Sequence, residues 1–408
     1  MLSPDVSTTI KHTVAGASKG AALLDILIIG GGLSGLMVAN QIHRTLPPTT
    51  KWKLLEARPV LGGRLANNED NSNDTPAQID MGGAWIWPNH QPFMRKLASD
   101  PTFNITTFRQ PDDPSSTRIK GGAVQFIHAL AKDLPSENLV LNAPVTQFSL
   151  LQNETTSAAD DQECADGSNE PVIQVQTATT TTSSSNDDSN SKTTTTTFLA
   201  RRVVIAVPPK LVSNHMQFTP PLSKEKQHAM AASHTWMAGV TKIALVYPKR
   251  FWNTDSSNMG FPAGKGPAFQ VYDGGSTMTD SVAALTFFAM VPPTNKAKED
   301  DALLADQVST QLADVWNYFR LPFAAQAKSY THVLVKRWPL EPYLSEDAAP
   351  TQIHPHPHAT RALSEKEWNN QLLFAGSETD RTSPGVMEGA VGAAMRVVYE
   401  LQAVFGKK

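Results

Sequence analysis

One short run near the start of the chain carries its densest chemical signal. Gly30-Gly31-Gly32-Leu33-Ser34-Gly35 is a G-x-G-x-x-G sequence, preceded by the apolar stretch Asp25–Ile29 and followed by the helical pattern Ser34–Thr45. In such a strand–turn–helix unit Gly30 permits the tight turn. Gly32 lets the backbone approach a pyrophosphate, and Gly35 lets helix and strand pack closely. The helix N-terminus adds free N–H groups and the positive end of its dipole. A second strand pattern, Lys51–Glu56, ends on a carboxylate 21 residues after Gly35, where it would accept from ribose hydroxyls. These features predict a bound dinucleotide and leave NAD(P) and FAD open. A Gly-rich turn that binds nothing is disfavoured, because strand, helix and Glu56 are all in place.

A second chemical residue is Lys242, mid-strand in Thr241–Tyr247 among Ile, Ala, Leu and Val. Burying an ammonium is costly unless it is paired, so a lysine here points to a task. The alternative is a strand lysine snorkelling on a solvated face, which alternation permits. His354-Pro-His356-Pro-His358 invites a metal reading. Alternating proline favours polyproline II, however, and its three residues per turn make alternate histidines diverge. No metal is expected.

The elements that must position these residues follow from periodicity. Strands are predicted at Asp25–Ile29, Lys51–Glu56, Thr241–Tyr247, Val282–Met290 and Leu372–Phe374. Helices are predicted at Ser34–Thr45, Ala123–Leu134, Ser223–Ser233, Asp300–Phe319 and Gly385–Phe405. Val172–Gln176 and Arg202–Val207 read as arms of a β-meander. The Thr/Ser/Asn-rich run 177–197 between them reads as a disordered tip, and 66–77 and 152–170 as polar loops.

Composition narrows the function classes. The 408 residues suffice for two or three domains. Lys and Arg number 35 against 38 Asp and Glu, a net charge of −3, so nucleic-acid binding is not expected. A single cysteine, Cys164, excludes an intramolecular disulfide framework and is compatible with a reducing compartment. No apolar run is long enough for a transmembrane helix, and no membrane anchor is expected. The N-terminal segment reads as a frayed tail in preference to an organellar transit segment, the alternative its composition leaves open, and the cytoplasm is the expected location.

Beyond Glu56 the chain reads Glu56-Ala57-Arg58-Pro59-Val60-Leu61-Gly62-Gly63-Arg64. Asp80-Met81-Gly82-Gly83, Gly121-Gly122-Ala123, Phe374–Thr379 and Ser383–Ala390 follow in order. This series resembles the FAD-binding flavin amine oxidases, the monoamine oxidase-like family. The resemblance implies FAD. It also implies an α/β fold in which a discontinuous, Rossmann-like FAD-binding domain (22–90, 119–222 and 366–408) carries a smaller α+β substrate domain (91–118 and 223–365). It places Glu56 on the adenosine ribose and Arg58 and Arg64 beside the adenosine and pyrophosphate. Val145 would meet adenine through its backbone, Glu378 would line the ribityl–pyrophosphate region, and the Met387 N–H would face the flavin pyrimidine. Leu33, Ser34, Ala57, Gly62, Gly63, Gly82, Gly83, Ala84, Gly376, Ser377, Gly385 and Val386 join them as cofactor contacts. Gly239–Tyr247 resembles the family strand whose lysine holds a water against flavin N5, the role carried to Lys242. The implied reaction oxidises a small-molecule amine to an imine, then a carbonyl, with molecular oxygen reduced to hydrogen peroxide.

The chain departs from the family in three places. The cysteine that would attach FAD, nine residues after Trp338, is Asp347, so non-covalent FAD is expected. The aromatic cage is not reproduced: its walls would fall at Val386 and at or near Ala348. Trp338 and Tyr343 are the expected catalytic-pocket residues instead, with Trp85 or Trp87 as further candidates. The segment from Gly83 to Gly121 is short, which predicts a reduced substrate domain and an open site. The same fold also admits an amino-acid oxidase, a carbon–carbon desaturase or a non-catalytic FAD-binding scaffold. An amino-acid oxidase would need a cation for the carboxylate, for which Arg109, Arg320 and Arg337 are available.

Overall fold

The computed structural model describes residues 22–65, 79–109, 113–151, 170–182, 191–253, 257–262, 264–275, 282–291, 297–344 and 357–406. The loop expected at 66–77, nearly all of that at 152–170, and Cys164, Asp347, Ala348, His354 and His356 lie outside the described residues.

The chain opens with β1 (Leu23–Ile29), α1 (Leu33–Thr45) and β2 (Trp52–Leu55). Next come β3 (Trp85–Ile86), α2 (Pro92–Ser99), β4 (Thr107–Arg109), β5 (Thr117–Ile119) and α3 (Gln125–Ala131). Then follow β6 (Leu139–Val140), β7 (Val145–Leu151), β8 (Val172–Thr182), β9 (Ser191–Ile205), α4 (Pro209–His215), β10 (Gln217–Thr219) and α5 (Lys224–Ala232). The remainder holds β11 (Thr241–Tyr247), β12 (Met259–Gly260), β13 (Ala268–Asp273), β14 (Ala283–Ala289), α6 (Ala297–Tyr318) and β15 (His332–Arg337). It ends with α7 (Arg361–Ser364), β16 (Leu372–Phe374) and α8 (Met387–Phe405).

An eight-stranded sheet runs β10-β7-β8-β9-β1-β2-β6, with β16 also paired to β9. β1 is parallel to β2 and to the C-terminal half of β9, Ile26 standing opposite Trp52 and Arg202. Ile26 and Ile28 face a core shared with α1, α3 and α8, while Leu27 and Ile29 face a second core with Val212 of α4 and Met230 of α5. Cover on both faces is why β1 is continuously apolar rather than alternating.

β9 changes partner along its length. Its N-terminal half is antiparallel to β8, from Ile173 opposite Ala200 to Thr182 opposite Ser191. This corrects the disordered tip expected over 177–197. Residues 177–182 and 191–197 are ladder-paired strand, and only 183–190 lie outside the described residues. Threonine is β-branched and suits a strand, and backbone pairing needs no apolar burial.

A five-stranded antiparallel sheet, β12-β13-β14-β11-β15, packs α6 on one face through Val308, Leu312 and Trp316 against Ile243, Leu245 and Phe287. A third sheet, β3-β5-β4, was not expected from the sequence. Its strands are only two or three residues long, too short to leave a periodic signal.

Candidate active site

A cavity of about 1320 Å³ runs from the β1–α1 turn to β11 and β15. Its wall includes Gly30, Gly32, Leu33, Ser34, Glu56, Ala57, Gly62, Gly63, Arg64, Gly82, Gly83, Ala84, Val145, Ser377, Gly385, Val386 and Met387. Lys242, Trp338 and Tyr343 line its other end. Four expected residues do not line it: Gly35, Arg58, Gly376 and Glu378.

The turn has the geometry its glycines imply. Gly30 has φ +104, a conformation side chains rarely adopt. A Cβ on Gly35 would collide with the Gly30 carbonyl oxygen, so the residue serves helix–strand packing and not the cavity surface. No side chain caps the start of α1, and its first turn holds no acidic residue. Its leading N–H groups therefore remain available to an anion. A Cβ on Gly32 would meet nothing nearer than Gly63 Cα at 3.7 Å. Two backbones thus form a side-chain-free cradle, which fits a pyrophosphate.

Around that cradle the charged residues hold each other. Glu56 is buried, its Oε2 accepting from Gly31 N at 2.6 Å and its Oε1 from Arg58 N at 2.9 Å. The Arg58 guanidinium turns to Glu341 at 3.3 Å. Arg64 faces the cavity and pairs with Glu378 at 2.8 Å while donating to Ser377 Oγ at 2.8 Å. Glu378 is fully buried and reaches the cavity through Arg64 and through Ser377, whose hydroxyl donates to its Oε2 at 3.0 Å. α8 begins at Met387, a lining residue, with no side-chain cap on its first N–H groups. Its neighbour Glu388 accepts instead from Phe93 N at 3.0 Å and Met94 N at 2.8 Å, capping α2. Burial pushes its carboxyl pKa up despite those two donors.

Lys242 lies on a strand whose seven residues are all buried, which rules out snorkelling. Its Nζ donates to Asp80 O at 3.0 Å, Gly82 O at 2.7 Å and the Tyr272 hydroxyl at 2.9 Å. Burial lowers its pKa to about 7, against the opposing pull of Asp80. Trp85, Tyr272 and Phe288 surround it, with Nζ 5.0 Å from the Phe288 ring centre and Trp85 packed on Tyr272 at 4.4 Å. Asp80 accepts from Ala123 N at 2.7 Å and from Arg118 at 3.1 Å. The D-x-G-G segment thus anchors both the Gly121-Gly122-Ala123 turn and the lysine.

Trp338 is buried and donates its indole N–H to Met81 O at 2.9 Å, so it is a wall with no free polar tip. Tyr343 is 49% exposed at the rim, with φ +64. Trp85 and Trp87 both line the cavity, whereas Arg109, Arg320 and Arg337 do not. Sequence reasoning missed Tyr272, Phe288, Trp236 and Asp113 as lining residues. Each arrives from a separate element, with no spacing to announce it.

Comparison with known proteins agrees with this geometry. The profile of the flavin containing amine oxidoreductases matches residues 95–402, and that of an NAD(P)-binding Rossmann-like domain matches 28–123. A nicotine dehydrogenase of Pseudomonas putida is 32% identical over 110 residues, 24% of this chain and 20% of its own. An L-amino acid dehydrogenase of Synechocystis is 34% identical over 89 residues, 22% of this chain and 17% of its own. The matched segments thus span about a fifth of these relatives' length. Among solved structures, putrescine oxidase bound to putrescine superposes with a TM-score of 0.64 at 17% identity, covering 94% of this chain and 99% of that one. Cyclohexylamine oxidase from Brevibacterium oxydans gives 0.62 at 16% identity, covering 93% and 99%. These two likenesses establish the fold, while the profile over 95–402 establishes descent: the chain belongs to the flavin-containing amine oxidoreductase family.

Proposed function

We propose that this protein is an FAD-dependent amine oxidase that converts a small-molecule amine, water and oxygen to a carbonyl compound, ammonia or a smaller amine, and hydrogen peroxide. One observation carries the reading: a dinucleotide cradle and a buried, aromatic-walled lysine share one cavity. FAD, when bound, supplies the acceptor for the hydride at its N5. Gly30, Gly32, Leu33, Ser34, Gly62 and Gly63 would hold its pyrophosphate, with Gly35 and Gly376 supporting from behind. Glu56 and Ala57 would take the adenosine ribose and Val145 the adenine. Arg64, held by Ser377 and Glu378, would face the phosphates, and Arg58 would act through Glu56. Gly82, Gly83, Ala84, Gly385, Val386 and Met387 would border the flavin. We assign the eight-stranded sheet to cofactor binding and the five-stranded sheet to the substrate.

Each pocket residue has a distinct task. The aromatic walls Trp85, Tyr272, Phe288 and Trp338 exclude water and favour the neutral amine, whose lone pair the oxidation requires. Lys242 would hold a water at the reacting edge; that water would take the place of the Tyr272 hydroxyl, its one contact that is not backbone. Tyr343 forms the rim. With one cysteine in the whole chain and Asp347 nine residues after Trp338, we infer that FAD is bound non-covalently. No described helix is long and apolar enough to cross a membrane. A cytoplasmic location remains our inference from the single cysteine. An amino-acid substrate is disfavoured, since the cavity-lining arginine, Arg64, is already paired with Glu378.

Anaerobic addition of amines to the FAD-loaded protein, followed by visible absorption, tests the reading. Amines are expected to bleach the flavin, with aldehyde or ketone released. A protein that stays yellow with every mono-, di- and polyamine would overturn it.

A further inference from the structure

The cavity continues past the lysine. Trp85 lies in β3 and Trp87 follows the strand directly, and both side chains line the same cavity. Trp85 packs on Tyr272, the phenol that touches Lys242. Trp87, beyond the Ile86–Thr117 pair that ends β3, donates its indole N–H to Asp113 Oδ2 at 3.2 Å. Both tryptophans and Asp113 line the cavity, together with Gln91 and Ser116. An aromatic row therefore leads from the buried lysine to a carboxylate in the β4–β5 loop.

That carboxylate is fixed in place and charged. Its Oδ1 accepts from Ser115 N at 3.1 Å and from the Ser115 hydroxyl at 2.5 Å. Its own backbone carbonyl accepts from Ser116 N and Oγ, both at 3.0 Å. The Ser115 hydroxyl, with help from Trp87, holds the Asp113 carboxyl below the usual carboxylate range. Among the described residues it has no basic partner, and Glu56, the other cavity-lining carboxylate, sits in the dinucleotide cradle. A carboxylate with two oxygens accepts about four hydrogen bonds, more than the three donors described here.

We propose that Asp113 and Trp87 form a subsite for a second cation of the substrate, making the preferred substrate a long aliphatic diamine rather than a monoamine. This rests on the amine-oxidase reading above. The neutral end of the substrate lies in the aromatic pocket beside Lys242, the alkyl chain follows Trp85, and the distal ammonium meets Asp113 over the Trp87 face. Cation–π attraction and the charged hydrogen bond act together there.

Two probes separate this subsite from the reaction. The first is binding of bis-quaternary alkyl diammonium ions, which have no nitrogen lone pair to oxidise, against mono-quaternary ions of equal length, measured calorimetrically on the FAD-loaded protein. The doubly charged probe is expected to bind about tenfold more tightly. D113N should abolish that preference and D113E should retain it. The second probe is steady-state oxidation of α,ω-diamines and matched monoamines. D113N should raise KM for diamines about tenfold and leave monoamine KM and kcat unchanged. Equal binding of singly and doubly charged probes, or D113N affecting both amine classes alike, would overturn the subsite. If no amine bleaches the flavin but the Asp113-dependent preference persists, the subsite stands and the oxidation reading falls.

Discussion

At the scale of single residues, Lys242 is the group to which the proposed chemistry is assigned. Its position is over-determined by two backbone carbonyls and a phenol, and burial lowers its pKa to about 7. A titration of the bound-flavin spectrum near pH 7 is therefore expected in the wild type and absent in K242M, measured by absorbance from pH 6 to 9. The same variant should retain FAD while flavin reduction or reoxidation slows by at least tenfold, followed by stopped flow. Unchanged kinetics of both steps would remove the lysine from the reaction.

At the scale of elements, two helix starts decide whether the site is built. α1 must begin against the Gly30 carbonyl, which leaves no room for a side chain at residue 35. G35A is expected to cost about 2–3 kcal/mol of stability and to release FAD, read from urea midpoints and from flavin co-purifying with the protein. α8 contributes differently. Its Glu388 supplies the cap that α2 lacks, through the N–H groups of Phe93 and Met94. E388A should lower stability by about 1–3 kcal/mol, with helix α2 losing amide-exchange protection first.

At the scale of the whole molecule, Arg118 joins the sheets. It extends from β5 to Asp80 at 3.1 Å and to the carbonyls of Asp273 and Gly275, at the end of β13 and just beyond it, at 2.9 and 3.0 Å. R118M removes the ion-pair partner of the buried Asp80, leaving it the Ala123 N–H and the charge of Lys242, and is expected to cost about 3–5 kcal/mol in thermal or urea unfolding. A second global property is the pH dependence of stability. Lys226 of α5 is buried, donates to Leu363 O at 3.2 Å, lies 3.7 Å from the Phe374 ring centre and, like Lys242, has its pKa lowered by burial to about 7. Each lysine binds its proton more weakly when folded. The penalty is therefore complete below pH 7 and fades as pH rises towards the unfolded value of 10.5. Stability is expected to rise between pH 7.5 and 9.5 by at most about 1.4 kcal/mol per pH unit for each lysine. K226M should remove roughly half of that slope, measured from urea midpoints across the range.

The sequence by itself determined the local units. The glycine turn, the strand leading to Glu56, the apolar β1 and the C-terminal helix each follow from contiguous residues obeying steric and periodic rules; β2 ends at Leu55, one residue before the expected Glu56, and α8 starts at Met387, two residues after the expected Gly385. Short-range rules also failed in one place, where a threonine run judged too polar to order is paired strand, because ladder hydrogen bonds do not depend on hydropathy. Only the tertiary structure decided which groups meet. Lys242 was legible as an oddity, but its partners Asp80, Gly82 and Tyr272 lie 162, 160 and 30 residues away. Glu388 stands in the first turn of α8 and caps α2, 294 residues distant. Asp113 carries no motif; its place in the cavity depends on β5 pairing with β3 and β4 and on the turn from Asp113 to Ser116 that leads into β5. Such meetings are set by packing between distant segments, and no local pattern encodes them.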